Sequence, residues 1–175
     1  MNAETEVRVH VANVADAAAL ARLGAATFVE TFGPLYQAPD LAAFLAGSRS
    51  AAVYTKLLHD PQVRVALAFL NGKPEPVGYS VAGPCKLPVA NLEPLAGEVR
   101  ELYILAEYQK HKLGTQLLVG ALEWLESQRR APLYVGVYSE NVGAQRLYGR
   151  FGFNKVGEYD FPVGEHIDRE FILRR

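Results

Sequence analysis

Hydrophobic and polar positions along the chain switch between two periods. Glu6 to Val11 alternates polar and apolar residues, as a half-buried strand does. From Asp16, a residue type that caps helices, Leu20, Gly24, Phe28 and Phe32 recur at every fourth position, so a helix is expected until Gly33-Pro34 stops it. A second helical region runs from Pro39 to Leu58, with Leu41, Phe44 and Leu45 as its apolar stripe and a break at Gly47-Ser48. Val63 to Leu70 and Val77 to Ala82 read as antiparallel strands joined by the turn-rich stretch Asn71 to Pro76. Gly83 to Gly97 carries three prolines and reads as a surface excursion. Beyond it the pattern predicts strand Glu98 to Leu105, helix Leu113 to Gln128, strand Leu133 to Tyr138, helix Asn141 to Phe151, and a closing pair of strands turning at Val163-Gly164. The order is mixed α/β, without internal repeats, low-complexity segments or a long linker.

Length and composition narrow the picture. At 175 residues, half of them hydrophobic, the chain is expected to be one domain over positions 1–175. Lys and Arg total 18 against 19 for Asp and Glu, a formal charge of -1, so no global field gathers nucleic acid or an anionic membrane, and neither is an expected partner. MNAETEVRVH has no basic segment followed by an apolar one, and no run approaches the roughly 20 apolar residues of a membrane helix, so a cytoplasmic protein is expected. Cys85 is the single cysteine, which suits a reducing compartment and reads as a packed thiol. His10, His59, His111 and His166 are dispersed without ligand spacing, so no metal is expected. Gly78-Tyr79-Ser80-Val81-Ala82 superficially fits a nucleophile elbow, but Gly83-Pro84 stands where the following helix should start, and Ser80 reads as a strand residue.

The most informative stretch is Val99 to Leu118, where strand ELYIL passes through AEYQKHK into Leu113-Gly114 and an amphipathic helix. The first-turn amides of a helix lack intrahelical acceptors and lie at the positive end of its dipole, so they can receive phosphate oxygens. Gly114 permits close backbone approach, and Lys110, His111 and Lys112 place positive charge beside the turn. Leu113, Leu117, Ala121 and Leu125 commit one helix face to the core. An ordinary strand-helix crossover with a solvated basic turn would look the same locally.

Further on stands Asn141-Val142-Gly143-Ala144-Gln145-Arg146-Leu147-Tyr148-Gly149-Arg150-Phe151-Gly152-Phe153. Asn141 suits an N-cap and Gly152 a helix end, and seven residues at about 100° each return Tyr148 to the face of Asn141. This run resembles the pattern Asn, two residues, Ala, two residues, Leu-Tyr, three residues, Gly-Phe of the GNAT N-acetyltransferase superfamily, and Gln109-Lys110-His111-Lys112-Leu113-Gly114 resembles that superfamily's phosphate loop, with Lys112 in place of its first glycine. Glu98 to Phe153 carries the resemblance. The FVETFGPLY run and the closing VGEHIDREFILRR look, more narrowly, like the spermidine/spermine acetyltransferase branch.

The resemblance implies a GNAT fold: a mostly antiparallel twisted sheet of six to seven strands, splayed into a V at the coenzyme cleft and flanked by about four helices. It implies acetyl-coenzyme A as co-substrate, with the backbone of Leu102, Tyr103 and Ile104 pairing with the pantetheine arm. Gln109, Lys110, His111, Lys112, Leu113, Gly114 and Thr115 would surround the pyrophosphate, and Asn141, Ala144 and Tyr148 would complete the coenzyme site. Tyr148 would protonate the departing thiolate, and the Ile104 amide would polarise the acetyl carbonyl.

The base is left open. Some relatives carry a glutamate where this chain has Gly136; Glu101 is preferred here over Glu98, only one of which alternation puts on the cleft face unless a bulge intervenes, and a water chain would serve equally. Phe28, Thr31, Phe32 and Tyr36 would wall the amine site, with Glu30 attracting a cation. The expected acceptor is a small-molecule or peptide amine, and the expected assembly a monomer or homodimer. The alternative from another class is a non-catalytic acyl-coenzyme A sensor or assembly module.

Overall fold

The computed structural model describes residues 6–175, leaving the side chain of Lys110 outside the description. Strands β1 (Val7–Val11), β2 (Arg64–Leu70), β3 (Gly78–Pro84), β4 (Gly97–Ile104), β5 (Leu133–Tyr138), β6 (Asn154–Val163) and β7 (His166–Arg174) form one sheet in the order β1-β2-β3-β4-β5-β7-β6. Its neighbours are antiparallel except β4 and β5. The helices are α1 (Ala17–Phe32), α2 (Ala38–Ser48), α3 (Ala51–Leu58), α4 (Leu113–Ser127) and α5 (Val142–Arg150). The second helical region is therefore two helices, and Ser50 caps the second of them by accepting the Val53 N–H.

β2 and β3 are buried on both faces, which is why their residues are apolar without strict alternation. Val65, Leu67 and Phe69 meet Leu20 and Leu23 of α1 and Tyr54 of α3, whereas Ala66, Ala68 and Leu70 meet Leu113 and Leu117 of α4. The small alanines let α4 lie close to the sheet. Leu118, Leu122 and Leu125 continue this packing over Val99, Val135 and Val137, and α5 joins through Tyr148.

Two expectations are corrected. Asp16 does not cap α1 through its side chain; Asn13 caps a preceding 3-10 turn, and Asp16 closes that capping box by accepting the Asn13 N–H at 2.9 Å. The proline-rich stretch after β3 is more than an excursion, because Leu87 and Ala96 pack on Tyr134 and Ile172 and so cover the sheet beside β5. Burial pushes the half-buried Cys85 thiol up to about 11, so it stays protonated near neutrality.

The gap between β4 and β5 organises everything that follows. The strands pair only at Gly97↔Leu133, Glu98↔Tyr134 and Val99↔Val135, and then part. On its other edge β4 stays bonded to β3 as far as Ile104↔Gly78. A bulge, the register shift opposite Val81/Ala82, inserts Arg100 as an extra residue. The extra residue cancels the opposite parity of Glu98 and Glu101, so both face the α1 side of the sheet.

On that side Tyr54 and Tyr79 each donate a hydroxyl to Glu101 Oε2, at 3.0 and 2.6 Å, with Arg49 at 3.7 Å. Gly24 makes room for this knot: a Cβ there would collide with the Tyr54 hydroxyl and lie 3.1 Å from its ring. Gly24→Ala should therefore destabilise the fold by about 1–3 kcal/mol despite alanine's better helix propensity. Urea denaturation checks this, and a stability gain would mean that the knot yields freely.

Candidate active site

Where β4 and β5 separate, a cleft of about 750 Å³ opens between α4 and α5, a size that suits a cofactor. Its β4 wall is an unpaired strand edge. Leu105 donates its N–H to the Val77 carbonyl at 3.0 Å on the β3 side, so by alternation the amides of Leu102 and Ile104 point into the gap. Leu102, Tyr103 and Ile104 line it, and Gln109 Nε2 donates to the Ile104 carbonyl at 3.3 Å.

One end of the cleft is the start of α4. The first intrahelical bond is Gln116 N–H to the Lys112 carbonyl at 3.1 Å, so the amides of Leu113, Gly114 and Thr115 have no acceptor within the helix. Among the described residues no side chain caps this end. Lys112 lies in the left-handed region at φ 58°, a conformation that favours glycine. The glycine usual in the phosphate loop thus has a backbone reason, and here a lysine accepts that cost of about 1 kcal/mol in a left-handed position while presenting an ammonium.

Gln109, Lys112, Gly114 and Thr115 line the cleft. Leu113 contributes only backbone, its side chain being fully buried against β2. His111 is exposed and outside the lining, and the side chain of Lys110 lies outside the described residues. Glu30 accepts the Ala106 N–H at 2.9 Å, tying α1 to the start of the loop.

The other wall is α5. Asn141 Oδ1 accepts the Ala144 N–H at 3.0 Å as the helix N-cap, and Asn141, Ala144, Leu147 and Tyr148 all line the cleft. Tyr148 is 5% exposed. Burial, then the charges of Tyr103 and Glu170, hold its phenol well above the ordinary tyrosine range, so it remains protonated.

A second, smaller cavity of about 120 Å³ lies on the α1 side, and Tyr103 lines both. Phe28, Phe32 and Tyr36 wall the small cavity, whereas Glu30 and Thr31 border the large one. The rings are stacked close, with Phe28 and Phe44 centroids 4.5 Å apart. Glu98 borders the small cavity, but its carboxylate already accepts the Lys86 N–H at 2.7 Å. Glu101 borders neither cavity, being held in the tyrosine-arginine knot. At Gly136 an added Cβ would meet Leu87 Cδ2 at 3.1 Å and the Tyr159 hydroxyl at 3.2 Å, so a glutamate cannot be accommodated there without displacing them.

Residues that the sequence reading did not single out complete this chamber. Asp168 is 2% exposed, takes the Tyr36 hydroxyl as donor, and has His166 Nε2 at 3.0 Å. Burial, then the charge of Asp168, pushes Glu170 up to about 7. Arg49 and Arg100 line the same space. The signal in the sequence was parity: Asp168 and Glu170 occupy the strand positions shared with apolar Ile172, so acids stand where a buried face was due.

Comparison with known proteins agrees with this geometry. A Mycobacterium bovis protein described as an uncharacterized N-acetyltransferase is 26% identical over 160 residues, covering 91% of this chain and 97% of the relative. A Bacillus subtilis spermine/spermidine N(1)-acetyltransferase is 36% identical over 66 residues, 37% of this chain and 43% of the relative. The crystal structure of the PaiA N-acetyltransferase from Thermoplasma acidophilum, solved with coenzyme A, superposes with a TM-score of 0.76 at 16% identity, over 97% of this chain and 98% of that one. The Acetyltransferase (GNAT) family pattern matches residues 27–153, a span that includes the open β4 edge, the bare start of α4 and the Asn141–Tyr148 wall. The chain belongs to the Acetyltransferase (GNAT) family and is an acetyl-coenzyme A-dependent acyltransferase.

Proposed function

We propose that the acceptor is a primary amine, acetylated by direct attack on the thioester while both substrates are bound. The observation that carries this reading is that Tyr103 borders both the coenzyme cleft and the small cavity. Across Tyr103 from the cleft between α4 and α5 lies that second chamber, lined by aromatic rings and by three carboxylates set against Arg49 and Arg100, a lining that suits an amine.

The chain's own groups then have distinct tasks. Amides of Leu113, Gly114 and Thr115 receive the pyrophosphate, helped by the Lys112 charge. Leu102 and Ile104 hold the pantetheine arm as an added strand edge, and the Ile104 amide polarises the acetyl carbonyl. Tyr148 gives its phenolic proton to the departing sulfur. Phe28, Phe32 and Tyr36 shape the amine chamber, and Glu30 and Thr31 border the coenzyme cleft. A polyamine-like acceptor is favoured over a peptide, because the chamber is small and its three carboxylates, Glu98, Asp168 and Glu170, outnumber its two arginines, Arg49 and Arg100. The short match to the B. subtilis spermine/spermidine enzyme points the same way.

The test is thiol release from acetyl-coenzyme A with spermidine, lysine amide and an N-terminal peptide as acceptors, alongside calorimetry of coenzyme binding. Turnover with spermidine exceeding that with the peptide is expected. Tight coenzyme binding without turnover of any amine would instead describe a sensor or assembly module.

A further inference from the structure

We propose that Glu170, on β7 in the small cavity, is the proton acceptor that turns the substrate ammonium into a free amine. The proposal rests on the N-acetyltransferase reading above and names the base that reading leaves open.

Position is the first argument. The register puts Glu170 opposite Tyr138 on β5 and opposite Tyr159 on β6, so its side chain stands between theirs on the α1 side of the sheet. Tyr138 borders the coenzyme cleft, and Glu170 itself borders the small cavity. Its charge acts on Tyr103, which borders both cavities, and on Tyr148 across the cleft, so Glu170 stands close to the groups between which the amine and thioester would meet.

Availability is the second. The other acids of the small cavity are engaged, Glu98 by the Lys86 N–H and Asp168 by Tyr36 and His166, as are Glu30 by the Ala106 N–H and Glu101 by two tyrosines, while Glu140 borders the coenzyme cleft and not the small cavity. Only burial and the Asp168 charge act on Glu170, and among the described residues no hydrogen bond occupies its carboxylate. A carboxylate held off solvent with both oxygens free is a better proton acceptor than one already bonded.

The reaction balances with these groups. A primary ammonium of pKa about 10 is almost wholly protonated at neutrality and has no lone pair to attack with. Glu170 takes one N–H proton, and the freed nitrogen pair forms the C–N bond to the acetyl carbonyl. The C–S bond then breaks with its electrons going to sulfur, which takes the Tyr148 proton. The nitrogen's second proton restores Tyr148, and Glu170 releases its proton to solvent.

The groups facing Glu170 set the pH at which this works. Asp168 on β7 disfavours its ionised form. Arg49 and Arg100 bring positive charge to the chamber, and Glu98 and Tyr103 of β4 also border it. Tyr138, Tyr159 and Tyr148 are phenols held above their ordinary range chiefly by burial. Because Glu170 titrates at about 7 and acts ionised, activity is lost as pH falls through that value.

The experiment compares wild type, Glu170→Gln, Glu170→Asp and Glu98→Gln, using whichever panel amine the wild type turns over fastest. For wild type, kcat/KM should rise with pH and level near pH 7. For Glu170→Gln it should fall about 10²- to 10³-fold at pH 7 and keep climbing roughly tenfold per unit with the free-amine fraction, with coenzyme affinity unchanged by calorimetry. Glu170→Asp should keep part of the levelling profile, which a merely structural role would not predict. The proposal is overturned if Glu170→Gln keeps the wild-type limb, or if the limb is lost in Glu98→Gln instead. Absence of wild-type turnover with every amine overturns the transferase reading, and the base with it. Independently, ¹³C NMR of the carboxyl carbons should show one signal titrating near 7 that Glu170→Gln removes; a Glu170 signal titrating like an exposed glutamate sinks the base alone.

Discussion

Replacing Tyr148 with phenylalanine lowers kcat about 10- to 1000-fold and leaves coenzyme affinity within about twofold. The substitution deletes one hydroxyl and keeps the ring. That ring packs edge-on against Phe153, with centroids 6.1 Å apart and planes at 67°, and forms part of the core beside Val137 and Leu122. The fold therefore has little reason to change. Burial also keeps the phenol protonated across the working pH range, so its proton is there to be given. Losing a positioned acid affects the step in which the thiolate departs, and hence kcat, rather than the binding of a pyrophosphate held at the start of α4. Steady-state thiol release with calorimetry separates the two. An unchanged kcat removes Tyr148 from the mechanism, and a parallel loss of affinity makes it a wall of the cleft.

Exchanging Gly114 for proline abolishes measurable coenzyme binding, whereas Gly114→Ala retains most of it. Gly114 is the second residue of α4, before the first intrahelical hydrogen bond, so its N–H is free for a ligand and the helix can form without it. Proline removes that N–H and fills the space in front of the turn. It also disfavours the helical conformation of Leu113, which precedes it. Alanine keeps the amide, and its Cβ would meet only Ile104 Cδ1 at 3.4 Å and Leu147 Cδ2 at 3.6 Å, ordinary contacts. The comparison isolates the amide from the added bulk. Coenzyme titration by calorimetry, with thermal melts to establish folding, decides it; a proline variant that binds as the wild type does would place the phosphates elsewhere.

Legibility from sequence differed between the two halves of the site. The coenzyme side is built from consecutive residues: a strand, its following turn and the helix after it, then an N-cap with a tyrosine seven positions later. Such features are set by local periodicity and capping, and the predicted strand Leu133 to Tyr138 and the starts of α4 and α5 lie within a residue of the observed ones. The amine side is assembled from α1, β4, β6 and β7, whose sequence order says nothing about which side chains meet.

Glu101 illustrates the difference. As a strand carboxylate beside the cleft it is chemically suited to be a base, yet Tyr54 and Tyr79, distant in sequence, converge on it. Parity alone also misplaced the pair Glu98 and Glu101, because the bulge at Arg100 depends on how β3 lies against β4. Gly136 could be recognised as unable to take a proton, but that Tyr159 and Leu87 close over it belongs to the packing.

Taken by itself, the chain's order of residues determined the helices, most strands, the bare amides at Leu113 to Thr115 and the Asn141–Tyr148 face, because each depends on backbone geometry and neighbours within a turn or two. Tertiary structure alone decided where β4 and β5 part, and that of the small cavity's carboxylates Glu98 and Asp168 are bonded while Glu170 is not. Those outcomes depend on non-local register and burial: the proton affinity of Glu170 comes from desolvation and from Asp168 beside it, conditions that exist only once β7 is paired between β5 and β6.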